Sequence, residues 1–591
     1  MGVGVTPPKA CIAVMTKPSM VTAPRSPPPT SASEIDAAVK RVKAAAKEFA
    51  ALPVGDKVAL LQRMRLGYGE VAEEAVRLGC QAKGIDFESE DSGEEWLANA
   101  MITARIMRLT EEALRDVERY GAPRIPDAHI RELPDGRVAI KVFPANTFDS
   151  VLLPHHDGEV FMQKGVTRAN LDEHRAVFYK KPHDGRLCVV LGAGNVASIS
   201  STDCVYKMFV EGCVCVLKMN PINAYLGPLF ERAFAPAIAR GFLAIVYGGS
   251  EQGAQLANHG LVDELHMTGS DKTYDALVWG TQPQEVADRK ARHAPVLTKT
   301  VSSELGNISP VIVVPGPYTE SELSYQARSI AGMVFNNASF NCVAAKLLVT
   351  CQAWEGRRKL LDGIETHLKR APTRLAYYPG AVERWQRFID GRPHVRVIGE
   401  ASEGRLPFAL LTDVDASNPN EKVFSEEPWC TVLSETSLPA PDTVGFLRDA
   451  VRFVNDRVWG TLCATLIVHP KTLADPLTGA AVDQAIDALR YGSVSLNSFS
   501  GAVFAIGSAP WGGHPSSTPQ NIQSGSGVVH NTFMLEKSEK FVLRAPLKTY
   551  PIALWLPGHR SLKEMGRKLL DFEMSPSWLK VPGIGLSAVG G

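Results

Sequence analysis

The sequence predicts an α/β protein built on parallel β-sheets, and three observations lead to that prediction. Short apolar runs alternate with helical stretches between Leu187 and Trp279, and a Gly-x-Gly turn follows the first run. A second α/β region extends from roughly Val301 to Leu496. Buried strands that alternate with helices indicate βαβ units, whose helices cover both faces of a parallel sheet.

The composition of the 591-residue chain excludes several classes of protein. The chain carries 63 basic and 63 acidic side chains, so it lacks the basic excess that is typical of nucleic-acid-binding proteins. No apolar run is long enough for a membrane-spanning helix. Ten cysteines without a Cys-x-x-Cys pair and 14 histidines without ligand spacing predict reduced thiols and no metal site. We expect a soluble, multidomain, cytoplasmic enzyme.

The N-terminal 33 residues contain seven prolines, three basic residues and no acidic residue. They are predicted to form a disordered tail, with an organelle transit segment as the alternative. Helical periodicity follows, with Ser31 or Ser33 as the first N-cap. The predicted helices are Ile35–Leu52, Lys57–Gly84 and Gly93–Tyr120.

Alternating segments come next and predict strands at Arg137–Val142, Glu159–Lys164 and Ala176–Lys180. In the regular region that follows, the predicted strands are Leu187–Leu191, Cys213–Lys218, Leu243–Tyr247 and Val262–Met267. Helices are predicted to about Glu211, to about Arg240, over Glu251–His259 and over Lys272–Trp279. Ligands bind such sheets at the carboxyl ends of the strands. Chemistry is therefore expected in the loops that begin at Gly192, Lys218, Gly248 and Thr268.

The first of these loops is not an ordinary dinucleotide-binding turn. Ala197 replaces the third glycine of that fingerprint, and Lys218 stands where the second strand should end in an acidic residue. A tight turn that needs small residues explains Gly192 and Gly194 equally well.

Two residues further along are candidates for chemistry. Glu304 ends a β-like run, and Cys342 begins a small-residue stretch 38 positions later. A cysteine that precedes a helix would have its thiolate favoured by the helix dipole, and a nearby carboxylate could act as a general base. On residue type alone, a buried cysteine is more often a small apolar side chain.

Several segments, in matching order and spacing, resemble the aldehyde dehydrogenase superfamily. The resemblance extends from about Ser31 to Pro546. The segments are Gly194-Asn195, Val214–Lys218, Leu265–Ser270, Ser303–Gly306, Phe335–Ala345, Ser425–Val432 and Gly492–Asn497.

The resemblance implies a three-part subunit. A Rossmann-like parallel-sheet nucleotide-binding domain would comprise residues 34–156 and 183–300, and a second α/β catalytic domain residues 301–538. A small β-arm for oligomerisation would combine residues 157–182 with 539–547 and make a homodimer or homotetramer. Residues 1–33 and 548–591 would lie outside these parts.

The resemblance also implies a reaction, the NAD(P)-dependent oxidation of an aldehyde to a carboxylate through a cysteine thiohemiacetal and thioester. Cys342 would be the nucleophile, Asn195 the oxyanion donor, and Glu304 the base that activates water. The alternatives are transfer of the acyl group to CoA and a catalytically silent nucleotide-binding scaffold.

The cofactor implied is NAD or NADP. Gly269 and Ser270 would open the helix under its pyrophosphate, and Lys218 would hold the adenosine ribose. Glu427 would hold the nicotinamide ribose, with Trp429 packed beside it. Relatives strict for NAD commonly carry a glutamate three residues after the lysine, and Pro221 stands there, so neither cofactor is excluded.

The sequence departs from the family pattern near the proposed nucleophile. Asn307 replaces a glycine, and Ser339 and Phe340 replace the usual glycine and glutamine. The C-terminal tail has an amphipathic pattern at Leu562, Met565, Leu569 and Phe572. We expect this helix to pack on its own or a neighbouring subunit, with a peripheral membrane contact as the alternative.

Overall fold

The computed structural model of the protein describes Met15, residues 23–392 and residues 394–590. Most of the predicted N-terminal tail lies outside these residues. The part that is described ends at Thr30, whose backbone N–H donates to the carbonyl oxygen of Tyr247 at 3.0 Å. Among the described residues, none of the helices is both long and apolar enough to cross a membrane.

Numbered in chain order, the strands are β1 Ile130–Glu132, β2 Val138–Phe143, β3 Asp157–Met162, β4 Arg186–Leu191, β5 Cys213–Lys218, β6 Leu243–Val246, β7 Glu264–Gly269, β8 Thr300–Leu305, β9 Pro310–Val313, β10 Leu347–Cys351, β11 Arg374–Leu375, β12 Val395–Ile398, β13 Arg405–Leu406, β14 Phe408–Leu411, β15 Val432–Leu438, β16 Cys463–Ile467, β17 Ser493–Leu496, β18 Pro510–Trp511, β19 Gly525–Ser526, β20 Val529–His530 and β21 Ser538–Arg544.

The helices are α1 Ala32–Ala51, α2 Val54–Ala82, α3 Gly93–Glu95, α4 Ile102–Tyr120, α5 Thr147–Leu152, α6 Val177–Lys180, α7 Ile199–Phe209, α8 Gly227–Ala233, α9 Ala235–Ala239, α10 Ser250–Asn258, α11 Asp271–Val278, α12 Pro283–Arg292, α13 Glu320–Phe335, α14 Gly356–Arg370, α15 Ala381–Ile389, α16 Lys422–Ser425, α17 Thr443–Arg457, α18 Pro470–Ala474, α19 Pro476–Ala488, α20 Ser500–Ile506, α21 Leu562–Met574 and α22 Val581–Val589. A π-helical segment, Trp96–Met101, joins α3 to α4.

The first large sheet has six strands in the order β19-β8-β7-β4-β5-β6. All neighbours are parallel except β19, which runs antiparallel to β8. The continuous apolar runs of β4 and β5 are buried because helices cover both faces. This arrangement confirms the parallel α/β sheet that the alternating pattern predicts.

The second large sheet has eleven strands in the order β1-β2-β3-β21-β17-β16-β9-β10-β15-β14-β12. The strands from β21 to β14 run parallel, while β1, β2 and β3 form an antiparallel block at one end. Because β21 pairs with β3 on one side and β17 on the other, the block continues the sheet of its own chain. The role of this block in subunit assembly stays a prediction.

Capping and proline explain the helix boundaries. Ser31 begins α1 through a capping box with Glu34, as predicted. The single helix expected up to Arg240 divides at Phe234, because Pro236 removes a backbone donor at the start of α9.

One predicted strand, Ala176–Lys180, is wrong, since these residues form the helical turn α6. The Tyr179 hydroxyl donates to the carbonyl oxygen of Phe209 at 2.5 Å. The Lys57 ammonium lies 5.4 Å from the centre of the Phe178 ring. These tertiary contacts stabilise the helical turn. The alternation of apolar and polar residues, from which the strand was predicted, does not reveal them.

The C-terminal helix α21 packs on the N-terminal helices of its own chain. Its buried Glu573 pairs with Arg105 at 2.9 Å and with Arg108 at 2.6 Å. Met565 and Phe572 are also buried, so this apolar face is covered by the protein itself. Beyond α21, Leu579 and Leu586 remain exposed.

Candidate active site

Cys342 and Glu304 meet where the two large sheets adjoin. Glu304 is the next-to-last residue of β8, at the carboxyl edge of the six-stranded sheet. Cys342 precedes β10, at the amino edge of the other sheet. The Cys342 thiol donates to Glu304 Oε1, with 3.4 Å between Sγ and the oxygen. Two residues far apart in sequence thus form a hydrogen-bonded acid pair.

Burial keeps both members of this pair protonated at neutral pH. Burial, with a smaller contribution from the nearby charge of Asp203, raises the pKa of Glu304 to about 8. The neighbouring Trp511 and Cys342 side chains oppose this rise. Burial, followed by the Glu304 charge, raises the pKa of Cys342 well above the ordinary thiol range. The thiolate therefore forms only when a base accepts its proton, and Glu304 is in contact with it.

Cys342 is not followed directly by a helix. A turn leads directly into β10, so no helix dipole favours the thiolate. Immediately before the cysteine, Asn337, Ala338 and Ser339 all have positive φ, at 51°, 52° and 64°. Non-glycine residues adopt this conformation at a cost, which tertiary contacts must offset. One such contact is the Ser339 hydroxyl, which donates to the Val334 carbonyl at 2.6 Å.

Asn195 ties the loop after β4 to the cysteine turn. Its amide nitrogen donates to the Phe340 carbonyl at 3.0 Å, which leaves the second N–H of that amide for a ligand. Its backbone carbonyl accepts from Lys83 Nζ at 3.2 Å, from Tyr377 Oη at 3.1 Å and from Asn337 Nδ2 at 3.0 Å. The structure therefore brings Asn195 to the segment that carries Cys342.

Sequence reasoning missed Lys83 and its partner Glu95. Their ion pair is 2.6 Å long and is buried behind the Asn195 loop. Both residues lie at the ends of apolar helical segments, where charged side chains are usually solvated. The sequence does show two charged residues, Lys83 and Glu95, near apolar residues. This pattern points to a buried ion pair only when the burial of both side chains is known.

Lys218 ends β5 with its ammonium group unpartnered among the described residues. Burial lowers the pKa of Lys218 to about 8, because no carboxylate offsets the desolvation. Gly253 in α10 leaves room beside its stem, where an added Cβ would lie 4.0 Å from Lys218 Cδ. The side chain is thus available to a polar ligand at the carboxyl edge of the sheet.

Gly269 and Ser270 lie at the start of α11. Ser270 is the N-cap, and its hydroxyl accepts from the backbone N–H of Thr273 at 3.1 Å. Both residues are exposed. The first residue of the helix, Asp271, brings a negative charge to this end.

Glu427 and Trp429 lie on the other side of the cleft. Glu427 pairs with the fully buried Lys346 at 2.7 Å. It lies over Gly306, where a Cβ would be 2.1 Å from Oε2, so a side chain at position 306 would displace it. Burial raises the pKa of Glu427, Lys346 opposes the rise, and the charge of Asp271 adds to it.

The family comparison agrees with this geometry. Residues 152–361 match the model described as the aldehyde dehydrogenase family, and this segment includes Cys342, Glu304 and Asn195. This segment of the chain is similar to the aldehyde dehydrogenase family. Of the residues assigned from the resemblance, Glu427 and Trp429 lie beyond the matched segment.

One curated relative to which the chain is similar is the peroxisomal aminoaldehyde dehydrogenase 1 of Pisum sativum. It is 26% identical over 193 residues, which are 32% of this chain and 34% of the pea protein. The chain thus matches about a third of the length of that relative.

Solved structures show the same fold. The NADP-dependent glyceraldehyde-3-phosphate dehydrogenase of Bacillus halodurans, complexed with NADP, superimposes with a TM-score of 0.58 at 18% identity, covering 87% of this chain and 92% of that chain. The NAD-dependent aldehyde dehydrogenase of Sinorhizobium meliloti superimposes with a TM-score of 0.59 at 17% identity. The superposition covers 88% of this chain and 90% of that chain.

One group of potential metal ligands occurs among the described residues, and it lies away from Cys342. It consists of Glu211, Cys213 and Glu264. Arg186 pairs with Glu264 at 2.6 Å and Lys207 pairs with Glu211 at 2.6 Å. These cations already neutralise the carboxylates, so the group is explained as an ion-pair cluster.

Proposed function

We propose that the protein oxidises an aldehyde to a carboxylate with NAD or NADP. The observation that carries this proposal is the contact between Cys342 Sγ and Glu304 Oε1, made at the edge of a nucleotide-binding type of sheet. The similarity of residues 152–361 to the aldehyde dehydrogenase family supports the same reaction class. A nucleophile in contact with its base, beside an amide donor, is the arrangement that acyl chemistry needs.

The first step is addition of Cys342 to the aldehyde. Ionised Glu304 accepts the thiol proton through Oε1 while sulfur bonds to the carbonyl carbon. The carbonyl oxygen becomes an oxyanion, which accepts hydrogen bonds from the Asn195 amide and the Cys342 backbone N–H. Removing one such donor costs about 3–4 kcal/mol in comparable sites.

The residues of the cleft fit a dinucleotide. Lys218 offers an unpartnered ammonium to ribose hydroxyls, Gly269 and Ser270 expose the start of α11 to a pyrophosphate, and Glu427 supplies a carboxylate paired with Lys346. NAD or NADP, when bound, supplies the oxidation by accepting the hydride that leaves the thiohemiacetal. At position 221, three residues after Lys218, an exposed proline leaves space for a 2′-phosphate as well as for a hydroxyl.

The second half of the reaction is hydrolysis of the thioester. Glu304 first releases the thiol proton to solvent and then takes a proton from water; the resulting hydroxide attacks the acyl carbon, and the Cys342 thiolate leaves. The buried base next to the acyl site favours water over CoA as the acceptor. The same base also argues against a catalytically silent scaffold. Burying a carboxyl group beside a thiol costs free energy, and a scaffold function would not require it.

The substrate we propose is a small-molecule aldehyde. We also propose a homodimer or homotetramer in the cytoplasm, because nine cysteines of the described part are free thiols and the β1–β3 block ends in an open strand edge. Peripheral membrane contact, the alternative for this tail, would involve the exposed Trp578, Leu579, Leu586 and Val589 beyond α21.

The test is reduction of NAD and NADP, followed by absorbance, with a panel of aldehydes in the presence and absence of CoA. We expect turnover without CoA and its loss in Cys342→Ala. Turnover that requires CoA would replace hydrolysis by acyl transfer. Activity that survives Cys342→Ala would refute the mechanism, and no turnover with any aldehyde would favour the scaffold.

A further inference from the structure

Lys346 is a fully buried lysine whose ammonium group lies between three segments of the candidate site. Its Nζ donates to the Asn341 carbonyl at 2.6 Å and to the Asn307 carbonyl at 3.0 Å, and it lies 2.7 Å from Glu427 Oε1. An ammonium group has three N–H donors, and these three oxygens match them in number. A buried charge is costly unless it is paired and hydrogen-bonded, so these partners hold the ammonium group in place.

The contact with Asn341 orients the backbone of the proposed nucleophile. Asn341 precedes Cys342, so the Asn341 carbonyl and the Cys342 N–H belong to one peptide unit. This unit is trans and planar, and its C=O and N–H therefore point in opposite directions. Because Lys346 holds the carbonyl, the N–H points away from the ammonium group. Among the described residues, no group accepts a hydrogen bond from this N–H.

The peptide unit after the nucleophile is held as well. The Ser309 hydroxyl donates to the Cys342 carbonyl at 2.5 Å, so the carbonyls on both sides of the Cys342 N–H have partners. The turn before the cysteine has positive φ from Asn337 to Ser339, a conformation that persists only when surrounding contacts maintain it. Lys346 provides such a contact, and a hydrogen bond from a charged donor is roughly twice as strong as a neutral one.

We propose that Lys346 is the positioning residue for the backbone donor of the oxyanion site. It orients the Cys342 N–H toward the carbonyl oxygen of the aldehyde, to which the Asn195 amide also donates. Its charge polarises the Asn341 carbonyl, which makes the N–H of the same peptide unit a better donor. Lys346 acts through this peptide and does not touch the substrate. The inference rests on the function proposed above.

The first measurement is the rate of the burst of reduced cofactor in Lys346→Met. Methionine keeps much of the stem and removes the donors. At saturating cofactor, the burst rate should fall about 10²–10³-fold, as when one oxyanion donor is removed in comparable sites. A burst rate that returns to the wild-type value at saturating cofactor would mean that Lys346 serves only Glu427, and would overturn the proposal.

Lys57→Met is the matched control. Lys57 in α2 is also buried, and its ammonium group donates to the Leu52 carbonyl at 2.7 Å. The burst rate of this variant should equal that of the wild type. An equal fall in Lys57→Met and Lys346→Met would overturn the proposal, because the loss of any buried lysine would then have the same effect.

The second measurement reports the hydrogen bond itself. It is needed because the Lys346 charge also opposes the rise in the pKa of Cys342, which affects the burst rate. In a Glu304→Gln background the thioester accumulates, and an aldehyde that carries ¹³C at its carbonyl carbon allows infrared difference spectroscopy of the acyl carbonyl. Lys346→Met should move the carbonyl stretch to higher wavenumber, as Asn195→Ala should, because a hydrogen bond to the oxygen is lost. An unchanged stretch would overturn the proposal.

A second variant covers the case in which Lys346→Met does not fold because Glu427 is left buried without its partner. The double variant Lys346→Met/Glu427→Gln removes both charges of the pair. It must show the same shift of the carbonyl stretch, and no shift would overturn the proposal. A wild-type burst rate in Lys346→Met would overturn this inference alone. No burst in the wild type with any aldehyde would overturn the proposed function as well.

Discussion

Cys342 and Glu304 share a hydrogen bond of 3.4 Å between Sγ and Oε1, although 38 positions separate them in the chain. Both groups are acids whose pKa burial raises. The thiol and the carboxyl group are consequently protonated together at neutral pH. The nucleophile becomes available as the base ionises, so this one contact sets the pH at which the site works.

Turnover should therefore rise with pH through an apparent pKa of about 8, the value to which burial raises Glu304. Glu304→Gln should lower steady-state turnover by about 10²–10⁴-fold, because no base remains for hydrolysis. The variant should still give a slower burst of reduced cofactor, limited by the unassisted thiol. A pH-rate profile and stopped-flow mixing measure both effects, and a flat profile in the wild type would contradict the assignment.

The free energy of unfolding should depend on pH because of the same buried carboxyl group of Glu304. The folded protein binds its proton up to about pH 8, whereas the ordinary pKa of 4.5 applies when the chain is unfolded. The folded state therefore loses free energy of unfolding as pH rises between these values. Relative to wild type, Glu304→Gln should gain about 2–5 kcal/mol between about pH 5 and pH 9. Urea unfolding at both pH values measures the gain, and a constant difference would show that Glu304 is not buried.

Cys342 should be the first cysteine to react with a thiol reagent in the native protein. Of the nine cysteines in the described part, it alone is not buried. In a Cys11→Ser background, iodoacetamide should add one group per chain, faster at higher pH because the pKa of Cys342 is raised. Mass spectrometry after brief labelling should find none in Cys342→Ala, while Cys463→Ser should label normally. Equal labelling of several thiols would contradict the burial pattern.

The sequence predicts the parallel sheet well, because short apolar runs that alternate with helical stretches are compatible with few structures other than βαβ units. β5 was expected at Cys213–Lys218 and is found there. The contact between Cys342 and Glu304 was expected only through the family resemblance. Nothing in residue type or spacing places two side chains from different sheets within hydrogen-bond distance.

The rest depended on tertiary context. The positive φ values at Asn337 to Ser339, just before Cys342, left no sign in residue types that are not glycine. The contact between Asp203 and Thr268 follows from the way α7 packs against β7, which the sequence alone does not show. Whether a polar residue is buried or solvated depends on the packing of the whole fold, which the local sequence does not show.

The unpartnered ammonium of Lys218 should matter for cofactor affinity. Lys218→Met keeps the stem and removes the charge, so the KM for NAD or NADP should rise about tenfold, the equivalent of about 1.4 kcal/mol. Lys359→Met, an exposed lysine far from the cleft, should leave the KM unchanged. Initial rates over a range of cofactor concentrations measure both. Unchanged KM in Lys218→Met would show that the dinucleotide lies elsewhere.

Glu573 should be needed for the stability of the N-terminal helices. It is buried between Arg105 and Arg108, and Glu573→Gln would leave two guanidinium groups without their full charge partner. We expect a loss of about 3–5 kcal/mol in the free energy of unfolding, as when one partner of a buried ion pair is removed. The exposed Glu564 of the same helix pairs with Lys568, and Glu564→Gln should leave stability unchanged. Urea unfolding compares the two variants. Equal stability in both would mean that α21 is only loosely attached, and would leave its apolar face available for a membrane or another subunit.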